Sequence, residues 1–351
     1  MIHILNMAPK KSNHNKRPTQ KDIAQKSGFS RPTVSLALKG DPSVSEETRN
    51  IIRAAADAIG YVPDPMLTAL SRYRNNQQTR SYHGTLAWIG FSTQRNQWDH
   101  ITPYRHYHKG AVERAKKLGY NVEVFDVTQD GLNSNRLDSI LKARGIHGLL
   151  ICPPVDSEHK VVLPWDNYSL VTFGYTISEP RLHRVTSSHF QSTLEVFKRL
   201  HERGYQRIGF IFNQQVNIKT QQNSLAAYLS ECQRVDQTAL PPLIEPSITP
   251  AMIETWYEKY KPDAVILSSP DWIQMKETKI KVPEELGAAC PMAPLSPSRL
   301  SGIVEQSFEI GVAAVDSLVH MIEHQNTGIP THPRFTLLEG QWKEGSTLKP
   351  L

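Results

Sequence analysis

From Gly84 onward, short apolar runs alternate with helical patterns, and this alternation constrains the fold more than any other feature of the chain. Strands that alternate with crossover helices form parallel sheets covered by helices on both faces. The length of this region predicts two α/β lobes with a cleft between them. The strand patterns are Thr85–Phe91, Asn121–Val127, Gly148–Cys152, Tyr168–Phe173, Arg207–Phe212, Ala264–Leu267, Gly287–Ala289 and Phe335–Glu339.

The first sixty residues follow another pattern, that of three short helices. Thr19 and Asp22 have the spacing of a capping box, in which side chains satisfy the free N–H groups at a helix start. This predicts a first helix over about Gln20–Ser27. Gly28 ends it, because glycine tolerates the left-handed backbone of a helix C-cap.

The second and third helices of this region are also marked by caps. Ser30 caps the second, with Pro32 in the first turn, where its missing N–H does no harm. Ser45 caps the third, which ends at Gly60. Its inward residues are predicted to be Ile51, Ile52, Ala55 and Ile59.

The second helix is apolar on one side only. Val34, Ala37 and Leu38 recur at helical spacing and are predicted to face inward. A polar, basic helix after a tight glycine turn is typical of a helix-turn-helix that enters the major groove of DNA. An ordinary three-helix packing domain with a solvated polar face remains an alternative. The residues left outside are Arg31, Thr33, Ser35 and Lys39.

The positive charge of the chain is concentrated at its N-terminal end. Residues 1–80 carry 13 Lys and Arg against 6 Asp and Glu, whereas the rest carries 27 against 28. A basic N-terminal region is suited to hold a polyanion such as DNA. A solvated basic tail would give the same composition.

A short amphipathic helix is predicted directly after the three-helix region. Asp64 is a good N-cap and Pro65 a good first helical residue, and the sequence MLTALSRYR follows. Leucines beside Arg72 and Arg74 suit insertion into the minor groove of DNA. A linker helix that rests on the large domain is the alternative interpretation.

Residues 19–63 resemble the headpiece of the lactose-repressor (LacI/GalR) family of transcription regulators. The matching residues read D-I-A-x-x-S-G-F-S, T-V-S, V-S-E-E-T-R and A-x-x-I-G-Y-V-P. The resemblance implies a homodimer on a pseudo-palindromic double-stranded operator, with the second helix in the major groove. It also implies a hinge helix that pairs across the dimer and inserts a leucine, which by position is Leu70.

The resemblance and the exposed pattern together indicate the DNA contacts. One departure is Leu36, which stands where the family usually has an arginine after T-V-S. Arginine is suited to bidentate reading of guanine, so one family base contact is expected to be lost. The predicted DNA-binding residues are Thr19, Arg31, Pro32, Thr33, Ser35, Lys39, Leu70 and Arg72.

The large region resembles the family's periplasmic-binding-protein-like sensor domain. Matching segments are R-G-I-H-G-L-L-I at 144–151 and L-x-x-R-G-Y-x-R-I-G-F at 200–210. The resemblance implies a small effector between the lobes, and a sugar is the expected class. The fold class predicted for the whole chain is therefore an all-α helix-turn-helix headpiece followed by a two-lobed α/β domain with parallel sheets.

The predicted cleft departs from the pattern of the sugar-binding relatives. An expected Asp is replaced by Ser188 and His189, and an expected Arg by Gln221. The polar complement of the pocket therefore differs, and three alternatives remain open: a different saccharide, a non-sugar ligand or no ligand. Candidate ligand-binding residues at strand ends are Thr93, Tyr107, Tyr175, His189, Asn213, Gln221, Asp271, Trp272 and Glu305, each with packing or surface use as the alternative.

No other pattern in the sequence points to catalysis or a cofactor. Cys152, Cys232 and Cys290 lie far apart and predict buried free thiols. His320 and His324 formally match H-x-x-E-H, but a third acidic ligand is not evident, and a solvated helix end is the preferred interpretation. We expect no enzyme activity, no cofactor and no metal.

The predicted domain order has four parts. These are a disordered basic arm (1–18), the helix-turn-helix domain (19–63), a hinge helix and linker (64–83) and a sensing and dimerisation domain (84–351). No signal peptide or membrane helix is expected, so the predicted location is the cytoplasm. Translation starts at either Met1 or Met7 on this interpretation.

The sequence favours a ligand-responsive, sequence-specific DNA-binding regulator, a repressor by expectation. Two functions of other classes remain open. One is a small-molecule-binding protein with a vestigial headpiece, and the other is a metal hydrolase with a DNA-binding appendage.

Overall fold

The computed structural model describes residues 18–38, 41, 43–61, 84–91, 97–128, 131–154, 165–295 and 298–350. The chain divides into two compact units, Met1–Ser81 and Tyr82–Leu351. The predicted basic arm, apart from Pro18, and the predicted hinge helix and linker lie outside the described residues.

The first unit contains three helices where the sequence predicted them: α1 (Gln20–Ser27), α2 (Arg31–Leu38) and α3 (Glu46–Ala58). At the start of α1, the Asp22 carboxylate accepts hydrogen bonds from the Thr19 backbone N–H (2.7 Å) and hydroxyl (2.8 Å). Gly28 ends α1 with a φ of 76°, a left-handed conformation that favours glycine. Both predicted ends of α1 are therefore confirmed.

Small apolar side chains from all three helices form the core of this unit. Ile51 is an exception to the prediction, since 46% of its surface is exposed while Ile52 is fully buried. Consecutive helical residues point in different directions, and the inward face of α3 already runs through Ile52, Ala55 and Ala56. The buried residues are Ile23, Val34, Ala37, Val44, Ile52, Ala55 and Ala56.

The second unit contains two six-stranded sheets, each the centre of one lobe. The first sheet has the strand order β11-β5-β4-β3-β1-β2 and is parallel throughout. Its strands are β1 (Gly84–Gly90), β2 (Tyr120–Asp126), β3 (Gly148–Ile151), β4 (Ser169–Phe173), β5 (His183–Ser187) and β11 (Phe335–Leu338). Its helices are α4 (Thr102–Lys117), α5 (Ser134–Ala143) and α11 (Ser307–Glu323).

The second sheet has the order β12-β10-β9-β8-β6-β7, in which only the β10–β12 pair is antiparallel. Its strands are β6 (Ile208–Asn213), β7 (Leu243–Glu245), β8 (Ala264–Leu267), β9 (Gly287–Ala293), β10 (Ser301–Val304) and β12 (Gln341–Lys343). Its helices are α6 (His189–Glu202), α7 (Gln214–Lys219), α8 (Asn223–Arg234), α9 (Pro250–Tyr260) and α10 (Ser269–Met275).

Each sheet carries an apolar cluster on both of its faces, as expected for strands buried between helices. The chain passes between the lobes after β5, after β10 and after β11. Three connections therefore join the two lobes, and the predicted α/β architecture with parallel sheets is confirmed.

Helices α4 and α11 cross at two glycines in the first lobe. A Cβ atom at Gly110 would lie 2.0 Å from the backbone oxygen of Phe308, and one at Gly311 would lie 2.0 Å from that of Tyr107. Only glycine permits this approach. The crossing brings Tyr107 beside the connection between β10 and α11.

Candidate functional site

A cavity of about 500 Å³ lies where the carboxyl ends of the two sheets meet, and is here called the inter-lobe cavity. Pro153 and Gly174 follow strands of the first sheet, and Ser269 and Pro294 follow strands of the second. The carboxyl edge of parallel strands is the usual place for ligands in open α/β folds. The position of the cavity therefore marks it as the candidate ligand site.

The wall of the inter-lobe cavity is mostly aromatic and apolar. Tyr107 is buried and stacks on Phe173, with ring centroids 5.2 Å apart and planes at 12°. Flat aromatic faces with a few polar groups are typical of small-molecule sites. The tyrosines and prolines of the wall are Tyr104, Tyr107, Tyr175, Pro103, Pro153, Pro270 and Pro294.

Glu305 is the carboxylate of the wall. Its Oε1 atom accepts hydrogen bonds from the hydroxyls of Tyr107 (2.8 Å) and Ser307 (2.7 Å). Burial raises the pKa of the Glu305 carboxyl, and the two hydroxyls act in the opposite direction. The pair joins α4 to the segment between β10 and α11, so the carboxylate is held in one place.

Two buried polar groups of the wall lack a partner. The His189 Nδ1 atom and the Thr176 hydroxyl have no hydrogen-bond partner among the described residues. Burial lowers the pKa of His189 to about 4, so its imidazole is neutral at neutral pH. A buried polar group without a partner costs free energy, so both groups would gain from a ligand with hydroxyls.

Four of the predicted ligand-binding residues line this cavity: Tyr107, Tyr175, His189 and Glu305. They come from both lobes: Tyr175, His189 and Glu305 follow strands, whereas Tyr107 lies within α4. Ligand contact by these residues stays a prediction. Thr93 lies outside the described residues.

Four further candidates do not line this cavity, and ligand contact by them stays an untested prediction. The Asp271 carboxylate accepts the backbone N–H of Asn213 (2.7 Å) and the Ser268 hydroxyl. Asn213 caps α7 through its side-chain oxygen, and Trp272 packs in the apolar core. Gln221 is exposed in the turn before α8, with a φ of 50°. Local bonding and packing thus use residues that the sequence alone placed at a ligand.

The wall also contains residues that the sequence analysis missed. Thr176 directly follows Tyr175, so the strand-end argument was one residue short of it. Lys219 lies at the end of α7, and Met292 lies in β9. Helix α7 is a single short helix without a clear apolar period, so nothing in the sequence pointed to Lys219.

The first unit presents part of the predicted DNA-binding set on one helix. Arg31 and Pro32 are exposed, whereas Thr33 and Ser35 are half-buried. The Thr33 hydroxyl lies 2.8 Å from that of Ser30, which caps α2. Thr19 is exposed before α1, while Lys39, Leu70 and Arg72 lie outside the described residues.

The histidine pair of the H-x-x-E-H segment closes α11. The backbone oxygen of His320 lies 2.8 Å from the Nδ1 atom of His324, and the two ring centroids are 4.2 Å apart. Among the described residues, no three His, Cys, Asp or Glu side chains are gathered as a metal site requires.

None of the described helices is both long and apolar enough to cross a membrane.

Two family models match the chain. The model for bacterial regulatory proteins of the lacI family matches residues 19–64, and the model for the periplasmic binding protein-like domain matches residues 197–348. The two matches together cover more than half of the chain, and they fall in the first and second unit respectively.

Individual relatives are described as transcription regulators. The HTH-type transcriptional repressor CytR of Escherichia coli K12 is 33% identical over 100 residues, covering 22% of this chain and 29% of CytR. The chain thus spans less than a third of that repressor's length. YkvZ, an uncharacterized HTH-type transcriptional regulator of Bacillus subtilis 168, is 23% identical over 288 residues, covering 76% of this chain and 81% of YkvZ.

Solved structures share the fold along nearly the whole chain. The complex of the regulator CelR with cellobiose matches with a TM-score of 0.55 at 19% identity, covering 94% of this chain and all of CelR. The lac repressor dimer bound to operator and the anti-inducer ONPF matches with a TM-score of 0.53 at 17% identity, covering 95% of this chain and all of that chain. With the lacI-type headpiece at one end and the periplasmic-binding-like domain behind it, the chain belongs to the LacI family of bacterial regulatory proteins.

Proposed function

We propose that this protein is a sequence-specific DNA-binding transcription regulator and acts as a repressor. It binds a pseudo-palindromic operator as a homodimer. A small effector in the inter-lobe cavity changes its operator affinity. The effector class that we propose is a saccharide, and the place of action is the cytoplasm, beside the chromosome.

The main support for DNA binding is the surface of α2 that faces away from the core of a headpiece of the lacI type. The core side of this helix is filled by Val34 and Ala37, which leaves Arg31, Pro32 and Ser35 outside the core. A helix held in this way by two others can lie in a major groove with its side chains against base edges. The excess of positive charge over residues 1–80 favours the approach of DNA.

The effector proposal rests on the chemistry of the inter-lobe cavity. Hydroxyl groups both donate and accept hydrogen bonds, so a saccharide can satisfy Glu305, the neutral His189 and the Thr176 hydroxyl together. The apolar faces of a sugar ring can pack against the wall tyrosines. The CelR structure is a complex with cellobiose, which is a saccharide in a protein of the same fold.

The two activities are coupled through lobe closure. An effector that contacts both lobes binds one degree of closure better than another, and it shifts DNA affinity only by that difference. The predicted hinge helix, with Leu70 as a minor-groove wedge and Arg72 beside it, would transmit closure to the headpiece. Residues 84–351 would then serve for both sensing and dimerisation.

Selection of binding sites from random DNA tests the proposal. The full chain should enrich an inverted repeat, and Arg31→Ala should weaken binding of the enriched duplex by about tenfold or more through loss of a base contact. Arg53→Ala, which removes an exposed cation from α3, is the matched control for charge alone. Enrichment of no sequence, with equal salt-dependent attachment to every duplex, would contradict the proposal.

A further inference from the structure

Helix α2 carries an apolar ridge on its exposed surface. Pro32 and Leu36 lie four residues apart and are therefore neighbours on the helix surface. Both are exposed, and Leu36 keeps 37% of its surface open. Leu36, the sixth residue of this eight-residue helix, does not belong to the apolar cluster that forms the core of this unit.

The unit that carries the ridge also carries exposed groups that attract DNA. Arg31 is exposed in the first turn of α2, and Lys21 and Lys26 are exposed on α1. With Arg31 directly before Pro32 and two further exposed cations on α1 of the same unit, the ridge is brought to a polyanion rather than to a neutral apolar partner. A base edge that can accept an apolar contact is therefore the occupant that the charge pattern favours.

We propose that the Pro32–Leu36 ridge reads the C5-methyl group of thymine, so that this regulator selects a thymine where a long polar side chain would select guanine. The inference rests on the proposed function, since it requires α2 to lie in the major groove. It adds the identity of one base that the helix recognises.

The physical reason is the chemistry of base edges. The thymine methyl is the one apolar group that the four base pairs present in the major groove. Leucine packs favourably on this methyl, whereas against guanine it would cover the N7 and O6 acceptors without giving them a donor. Leu36 thus gains from a T·A pair and is penalised at a G·C pair.

The test uses an enriched operator from the selection and replaces single thymines by deoxyuridine, which removes only the methyl group. Replacement of the contacted thymine in one half-site only should weaken binding of the full chain about threefold to fivefold, the value of one buried methyl. Replacement in both half-sites should weaken it roughly 10- to 25-fold. Fluorescence anisotropy of labelled duplexes measures the affinities.

Leu36→Ala identifies the side chain that senses the methyl. In this variant the deoxyuridine penalty at that thymine should vanish, while Ile51→Ala, which shortens an exposed apolar residue on α3, should keep it. A C·G pair at the same position should bind weakly, and 5-methylcytosine in its place should recover part of the affinity. Circular dichroism of both variants checks that the headpiece remains helical.

The outcomes separate the inference from the function on which it rests. If an operator is enriched but no deoxyuridine penalty depends on Leu36, the inference is overturned and the proposed function stands. If no sequence is enriched at all, the proposed function itself fails. A penalty that is present in the wild type and the Ile51 variant, and absent in the Leu36 variant, supports the inference.

Discussion

Burial shifts the pKa values of three side chains in the second unit. Burial lowers the pKa of His189 from 6.5 to about 4, so the folded protein resists protonation of this ring. The same burial raises the pKa values of the Glu305 and Asp271 carboxyls, which therefore bind protons more readily in the folded state. The histidine and the two carboxyls thus respond to acid in opposite directions.

The His189 shift predicts a specific loss of stability in acid. Between pH 6.5 and about 4 the unfolded chain binds a proton at this histidine while the folded chain does not, so falling pH favours unfolding. Above pH 6.5 the histidine is neutral in both states and contributes no pH dependence. Urea unfolding of the wild type between pH 7.5 and 4 measures the effect.

His189→Gln is the variant that isolates this effect. The Glu305 and Asp271 carboxyls are present in both the wild type and the variant, so their contributions cancel in the comparison. As pH falls below 6.5, the free energy of unfolding should therefore decrease more in the wild type than in the variant. The expected change over the whole range is a few kcal/mol. Parallel pH dependences in the two proteins would show that His189 titrates normally in the folded state.

At the scale of elements, the crossing of α4 and α11 positions the Tyr107–Glu305 pair. Gly311→Ala would ordinarily stabilise a helix by about 1 kcal/mol. Here the added Cβ would lie 2.0 Å from the backbone oxygen of Tyr107, so the helices must move apart. We expect the free energy of unfolding to fall by about 3 kcal/mol, as measured by chemical denaturation.

Ser317→Ala serves as the control for this substitution, because it lies on the same helix and is only half-buried. It should change the free energy of unfolding by less than about 0.5 kcal/mol. An alanine at position 311 that is neutral or stabilising would show that the two helices do not approach as closely as the structure indicates.

Elements with apolar runs could be predicted from the sequence, and elements with polar buried residues could not. Strand β4 reads as an apolar run, but β5 (His183–Ser187) carries Arg184, whose guanidinium donates to the backbone oxygens of Gly174 (3.3 Å) and Ile177 (3.1 Å). A buried arginine that donates to carbonyl oxygens elsewhere in the chain interrupts the apolar run and leaves no hydrophobic period to detect. The edge strands β7 and β12 were not predicted because each has only three residues, too few to show an alternating or apolar pattern.

The residues of the candidate site also fall into those that could be predicted from the sequence and those that could not. Strand ends could be placed because parallel strands bring them to one edge, which is why Tyr175, His189 and Glu305 share one cavity. Tyr107 lies within α4 and reaches the same cavity through the crossing of α4 and α11. Asn213 ends β6 and Asp271 lies in the first turn of α10, but the Asp271 carboxylate accepts a hydrogen bond from the Asn213 backbone N–H, and the Asn213 side chain caps α7. Such local partners depend on side-chain positions that a single sequence does not contain.

For the molecule as a whole, the excess of positive charge and the inter-lobe cavity lie in different parts of the chain, which agrees with separate DNA-binding and effector-binding activities. The cations that outnumber acids lie in residues 1–80, whereas the rest of the chain carries 27 Lys and Arg against 28 Asp and Glu. The inter-lobe cavity draws its wall from both lobes, so a ligand there must sense how far they are closed. Effector and operator are therefore expected to influence each other's binding.

The central claim is tested most directly by measuring operator affinity with and without an effector. A panel of saccharides is first screened for a rise in melting temperature of the full chain, and Glu305→Gln, which alters the cavity carboxylate, serves as the control. We predict that a stabilising saccharide changes operator affinity by at least about fivefold, that operator changes saccharide affinity by the same factor, and that the control variant responds less. Saturating saccharide binding with operator affinity unchanged, or no saccharide binding at all, would contradict the account.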